Sequence, residues 1–228
     1  MVSAIIVSAG RGIRMQNPLR KQYLLLAGEP ILIHTLKAFD FCNLIDEIIL
    51  VIPENDFEYC RREILFFHKF RLTVKLVPGG KKRQDSVYNG LIAINGASAD
   101  SIVVVHDGVR PFVDSDQLIK SIVCTKNTGS CILAIPVVDT IKKVNSSFLI
   151  EKTYKRKNIW LSQTPQTFNY FLLKKAHESA KLSGYYGTDD ASLLERTGVN
   201  VKVINGSRYN IKITTKEDLM FAEGLLLK

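Results

Sequence analysis

The chain has 228 residues, 46% of them hydrophobic, with 31 lysines and arginines against 22 acidic residues, a formal charge of +9. That length suits one domain with a sizeable core. No apolar run reaches the roughly 18 residues of a membrane span, and Met-Val-Ser-Ala-Ile-Ile-Val at the start lacks the basic region of a secretory leader.

Val2–Val7 is an almost continuous apolar run that ends in a glycine loop, the pattern of a buried parallel strand. Ile31–Phe41 has helical spacing behind Pro30, and Glu47–Ile52 is a second strand. A helical stripe over Asp56–Lys69 leads to a third strand, Thr73–Val77, which stops at Pro78-Gly79-Gly80. Ser86–Ile94 reads as a helix, Ser101–His106 as a fourth strand, Ser115–Lys126 as a helix and Ser130–Ile135 as a fifth strand. This alternation predicts an α/β fold, a mainly parallel sheet with helices on both faces.

From Pro136 to Gln163 the rhythm breaks. Alternating segments flank a polar turn at Asn145-Ser146-Ser147, as in a two-stranded ribbon, and a lone ribbon needs something to pack on; a second copy of the chain is the simplest partner. Asn169–Leu182 and Ser192–Thr197 read as helices, Val199–Ile204 as a strand, and Thr215-x-x-Asp218 opens a last helix over Lys216–Leu227. Cys42, Cys60, Cys124 and Cys131 have no C-x-x-C spacing and lie in apolar segments, as expected of buried thiols in a cytoplasmic protein.

Ligands of an open parallel sheet bind outside the carboxyl ends of its strands. The segments placed there are Ala9-Gly10-Arg11-Gly12-Ile13-Arg14 with Lys21 beyond it, Gly79-Gly80-Lys81-Lys82-Arg83, and His106-Asp107-Gly108-Val109-Arg110. Together they supply glycines, cations and one carboxylate on one rim, which suits a phosphate-rich ligand with a divalent metal. The first loop is neither standard fingerprint: Met15 stands where a dinucleotide loop needs its third glycine, and no Gly-Lys-Ser/Thr closes a P-loop. Its backbone amides at Gly10 and Gly12 suit phosphate oxygens, because a missing Cβ permits close approach. Arg14 and Lys21 are then placed against the phosphorus under attack. The basic groups elsewhere (Arg61-Arg62, Lys142-Lys143, Lys155-Arg156-Lys157) are scattered, without a basic tail or aromatic ribonucleoprotein motif, so neither nucleic acid nor a membrane is an expected partner.

Over nearly the whole chain, "AGRGIRM" followed by "KQ", then "PGGKKRQDSVYNGL", "VHDGVRPF", "PVVDTIKKV", "QTPQTF", "GTDDASLLE" and "NIKITTKEDL" resemble the motifs of 2-C-methyl-D-erythritol 4-phosphate cytidylyltransferases. The resemblance implies a Rossmann-like nucleotidyltransferase domain over residues 1–228, with a dimerisation arm at about 136–163. It implies transfer of CMP from CTP to methylerythritol phosphate with Mg²⁺, in the non-mevalonate route to isoprenoid precursors. Arg14 and Lys21 are implied as stabilisers of the pentacoordinate α-phosphate, and Arg156 and Lys212 as holders of the acceptor phosphate. Asp107, Arg110, Thr140 and Thr188 are implied as acceptor contacts, and Ala9, Gly10, Gly12, Gly80, Lys81, Arg83 and Ser86 as nucleotide contacts.

Asp107 is the candidate protein ligand for a metal otherwise carried on the CTP phosphates. Thr188 reads equally as a helix N-cap, and Asp189 and Asp190 read first as the acidic opening turn of that helix. His106 is expected as a hydrogen-bonded histidine at a strand end, and His34, His68 and His177 as structural or exposed. Ser8 stands where the family usually has alanine, and Arg20 is an extra cation without an assigned role. The nearest rival acceptor is another alditol phosphate such as ribitol 5-phosphate. A basic nucleic-acid module is the distant rival, marked by duplex affinity that falls steeply with salt.

Overall fold

The computed structural model describes residues 1–10 and 19–226, so Gly12 and Arg14 lie outside the described residues. The chain runs β1 (Val2–Val7), a short 3₁₀ turn (Lys21–Tyr23), the paired β2 (Leu25–Leu26) and β3 (Glu29–Pro30), α1 (Ile31–Asp40) and β4 (Glu47–Ile52). A single turn, α2 (Phe57–Tyr59), continues as a π-helical turn (Cys60–Leu65) where the sequence predicted one long helix. Then come β5 (Val74–Pro78), α3 (Arg83–Ile92), β6 (Ile102–Asp107), α4 (Ser115–Thr128) and β7 (Ser130–Pro136). The second half holds β8 (Lys142–Val144), β9 (Ile150–Thr153), β10 (Trp160–Asn169), α5 (Tyr170–Leu182), α6 (Asp190–Arg196), β11 (Lys202–Asn205) and α7 (Lys216–Leu226).

Seven strands form the central sheet in the order β11-β7-β10-β6-β1-β4-β5. All neighbours are parallel except β10, which runs antiparallel to both β6 and β7. Burial on both faces explains the apolar strands: Ile5, Ile48, Ile49, Leu50 and Val104 are all fully buried. One apolar cluster gathers α1 and α4 on one face, including Leu32, Leu36, Phe39 and Leu118, and a second gathers α3, α5 and α6 on the other, including Val87, Leu91, Leu173 and Leu194. From β1 the chain moves outward to β4 and β5, then crosses back to β6 on the other side of β1. The crevice of such a sheet lies at this switch point.

The ribbon is real but shorter than expected. β8 and β9 pair only with each other, whereas Trp160, Leu161 and Ser162 pair with Pro136, Ile135 and Ala134 and belong to the central sheet. The segment beyond the ribbon was not legible as a strand, because β10 is largely polar and contains Pro165. It fits because the register shifts between Ser162 and Gln166, so the proline falls at an irregularity of the ladder. Its polar side chains are satisfied within the core: Thr167 Oγ1 donates to Ser121 Oγ at 3.0 Å and Gln166 bonds to α6.

At the last helix, Asp218 N–H donates to Thr215 Oγ1 at 3.3 Å while Thr215 N–H donates to Asp218 Oδ2 at 2.9 Å, the reciprocal cap that the sequence announced. Cys42, Cys60 and Cys131 are buried, Cys124 is half-buried, and all four are free thiols. Among the described residues no helix is long and apolar enough to cross a membrane.

Candidate active site

At the carboxyl rim lies a cavity of about 560 Å³ lined from all four parallel strands around the switch point: Val7–Gly10 after β1, Pro53–Asn55 after β4, Gly79–Arg83 after β5, and Asp107 and Val109 from β6. Ser86 and Lys212 complete it together with the turn at Arg20–Gln22. Nine predicted residues therefore meet in one place: Ala9, Gly10, Lys21, Gly80, Lys81, Arg83, Ser86, Asp107 and Lys212. The stretch Pro53–Asn55 carries no glycine or cation, which is why the sequence did not mark it.

Local chemistry sets each position. A side chain at Gly79 collides with the Cβ of Ala9, so the two rim loops approach too closely for any other residue there, and one at Gly80 collides with Asp85 in the first turn of the following helix. Gly79 N–H donates to Ile52 O at 2.8 Å and Gly80 N–H to Ser86 Oγ at 3.0 Å. Helix α3 starts three residues earlier than expected, at Arg83 rather than Ser86. It has no serine or threonine cap, and Asp85 in the first turn accepts the Lys82 N–H at 3.0 Å instead. Arg83 and Ser86 are thereby fixed on the opening turn.

Lys21 is held on both sides. Gln22, buried, donates to Ser8 O at 2.7 Å, and Arg20 pairs with Asp56 at 2.7 Å, which gives the unassigned cation its role: it ties the turn to the loop after β4. The Ser8 hydroxyl is buried against Gly108 and makes no hydrogen bond with a described residue.

Asp107 is the electrostatic hub. Its Oδ1 lies 3.1 Å from Arg83 Nε, and its Oδ2 lies 2.7 Å from Lys212 Nζ and 3.8 Å from Arg110 Nε. Burial pushes the Asp107 carboxyl up, but Arg83, Lys212 and Arg110 outweigh it and hold the group well below the ordinary carboxylate range. Burial alone lowers the Arg83 pKa, and the carboxylates of Asp190 and Asp107 reverse that and raise it. The loop carrying Lys212 is stitched to the same frame: Arg110 Nη1 donates to Asn210 O at 2.7 Å, Asn210 Nδ2 donates to Thr164 O at 2.8 Å, and Ile213 N–H donates to Val109 O at 2.9 Å.

Among the described residues no group of three His, Cys, Asp or Glu side chains is placed to hold a metal. Both Asp107 oxygens face cations of the chain itself, so a metal here would draw most of its ligands from elsewhere, the phosphates of a bound nucleotide being the natural source.

His106 behaves as expected of a strand-end histidine. Arg110 O can only accept, so the His106 Nε2 carries the proton and donates at 3.0 Å; Nδ1 then accepts from the Thr164 hydroxyl at 3.1 Å, which itself accepts from Asp107 N–H at 3.1 Å. Burial favours this neutral ring and lowers its pKa to about 4. An unfolded histidine titrates near 6.5, so the unfolded chain binds the extra proton between about pH 6.5 and 4, and stability falls by about 3 kcal/mol as pH drops through that window. Denaturant melts of the wild type and of His106→Asn from pH 7 to 4.5 test this. The variant is expected to lose less stability on acidification, and parallel pH slopes would contradict it.

Four expectations fall outside the cavity in the single chain. Arg110 is tucked behind Asp107. Thr140 and Arg156 are exposed, Arg156 Nη1 donating to Val138 O at the root of the ribbon. Thr188 is exposed and does not cap α6; that role belongs to Asp189, whose Oδ1 accepts Ser192 N–H at 3.0 Å. Asp190, which opens that helix as expected, is buried between Arg83 and His177.

Fold and site together define an open α/β protein with a cationic, glycine-walled crevice at its sheet switch point, the chemistry that suits a polyanion. The family model described as "2-C-methyl-D-erythritol 4-phosphate cytidylyltransferase" matches residues 2–228, and the chain belongs to that family. It is 45% identical over 225 residues to the protein of that name from Geotalea uraniireducens (99% of this chain, 96% of the other). It is 47% identical over 225 residues to the one from Geobacillus kaustophilus (98% and 96%). The solved 4-diphosphocytidyl-2C-methyl-D-erythritol synthase from Anaerococcus prevotii superposes with a TM-score of 0.87 at 34% identity, covering 100% of this chain and 96% of that one. The cytidylyltransferase from Francisella tularensis gives 0.82 at 36% identity, covering 98% of each chain.

Proposed function

We propose that this chain transfers CMP from CTP to 2-C-methyl-D-erythritol 4-phosphate, giving 4-diphosphocytidyl-2-C-methyl-D-erythritol and pyrophosphate, in the non-mevalonate route to isoprenoid precursors. The observation that carries this reading is the convergence of four strand-end loops on one cavity with Lys21, Lys81 and Lys212 at its walls, in a chain of this family. Ribitol 5-phosphate as the acceptor has no support among the relatives described above.

In the reaction an oxygen of the acceptor phosphate bonds to the α-phosphorus while the bond to the departing pyrophosphate breaks. The acceptor needs no general base, because a phosphate monoester has its second pKa near 6 and is mostly dianionic at neutral pH. What it needs is alignment and screening of two polyanions. Lys21 and Arg14 supply positive charge where the pentacoordinate phosphorus develops. The Gly79-Gly80 wall admits the nucleotide close to backbone. Lys212, paired with Asp107 before substrate arrives, is the cation that receives the acceptor phosphate. Mg²⁺, when bound, offsets triphosphate charge; we assign it to the CTP phosphates, with Asp107 as the nearest candidate protein ligand.

Three further features belong to the proposal. The protein works in the cytoplasm, where its cysteines stay reduced. It is a homodimer joined through the ribbon, whose tip exposes Phe148, Leu149 and Ile150 by 85%, 65% and 62%, an apolar patch in need of a cover. And Arg156, with Thr140, reaches the partner's cavity rather than its own. Mixed dimers of Arg156→Ala and Lys21→Ala test the last point: they are expected to regain part of the activity that each homodimer lacks, because one of the two sites then carries both residues. No recovery after verified subunit exchange would place Arg156 elsewhere. The reaction itself is tested by mass analysis of the nucleotide product, which is expected to be the acceptor plus a cytidylyl group, that is, CMP less one water.

A further inference from the structure

Arg83 is gripped at two points by carboxylates from two different elements, the end of β6 and the start of α6. Its Nε lies 3.1 Å from Asp107 Oδ1 at the cavity, and its Nη1 lies 2.7 Å from Asp190 Oδ2 behind it. Asp190 is only 1% exposed and does not line the cavity. Its other oxygen, Oδ1, is 3.2 Å from Nε2 of His177, itself 2% exposed and stacked on Tyr88 of α3. The backbone is fixed as firmly as the side chain: Asp190 N–H and Ala191 N–H donate to Gln166 Oε1 at 3.1 and 3.2 Å, which clamps the start of α6 to β10.

A carboxylate this deeply buried is costly unless a partner uses its charge. We propose that Asp190 is a positioning residue of the nucleotide site: backed by His177, it holds the Arg83 guanidinium so that Arg83 faces the cavity and steers Asp107. A flexible arginine on the first turn of α3 has many rotamers open to it. Two carboxylates at fixed positions select one and remove the entropic cost of ordering the side chain when CTP arrives.

This rests on the cytidylyltransferase reading, and CTP binding is therefore measured by calorimetry as well as by turnover. Asp190→Asn keeps the shape and one hydrogen-bond acceptor but removes the charge. It is expected to weaken CTP binding and raise the KM for CTP about tenfold, with a smaller change in kcat, the signature of a lost ground-state contact. The decisive measurement is the double variant: if Asp190 acts through Arg83, Asp190→Asn adds nothing to the KM defect of Arg83→Ala. His177→Gln is expected to give a weaker form of the same defect and serves as the second variant should Asp190→Asn fail to fold. Additive defects in the double variant would overturn the proposal, as would a folded Asp190→Asn protein with lower Tm but unchanged CTP affinity. A wild type inert toward CTP in both assays would instead contradict the cytidylyltransferase reading itself.

Discussion

Lys21→Ala is expected to lower the rate of pyrophosphate release about a hundred- to a thousandfold, equivalent to roughly 3–4 kcal/mol of transition-state stabilisation, as for loss of one oxyanion-hole donor. The reason lies in where charge changes. Ground-state CTP meets several cations, but the extra negative charge at the α-phosphorus exists only during transfer, and a group that meets it there acts on kcat. Lys21 is suited to that because its backbone is anchored on both sides: Gln22 is tied to Ser8 O and Arg20 to Asp56, one residue away on each side. The same anchors predict that the variant folds normally, so the loss should appear in kcat at saturating CTP with an unchanged melting temperature. Near-normal turnover would remove Lys21 from the chemistry.

Asp107→Ala is expected to cost about 3–5 kcal/mol of stability, the usual result of breaking a buried ion pair and leaving cations without their counter-charge. Arg83 keeps Asp190, so most of the cost falls on Arg110, which is largely buried, and less on Lys212, which can turn to water. For a chain of this length that loss lowers the melting temperature by about 10 °C. The carboxyl's depressed pKa sets the sign with pH: its contribution is complete above the unfolded value near 4 and is lost as pH falls through the lower folded value. A stability gap between wild type and variant that holds above pH 5 and shrinks at lower pH is the expected outcome of melts across that range. A variant as stable as wild type at pH 7 would mean that the three cations do not depend on Asp107.

The parallel strands were legible because double burial leaves continuous apolar runs, and the rim loops were legible because glycine and cations gather there for a physical reason. Three things were hidden. Polar β10 conceals a central strand, since Gln166 and Thr167 are buried only by virtue of partners supplied by α6 and Ser121. The bond from Arg83 to Asp190 joins residues 107 apart, and local spacing carries no trace of it. Arg20 made sense only once Asp56 was beside it. Helix α3 shows the milder failure, in which no serine or threonine cap marks the start and an aspartate in the first turn instead accepts the N–H of the residue before the helix, which begins three residues ahead of the predicted start.

The central claim is most directly tested by pyrophosphate release with Mg²⁺, using CTP, UTP, ATP and GTP each against methylerythritol phosphate, ribitol phosphate and no acceptor. Release confined to CTP with methylerythritol phosphate is the predicted result, whereas preference for ribitol phosphate, or silence across all combinations, would contradict it.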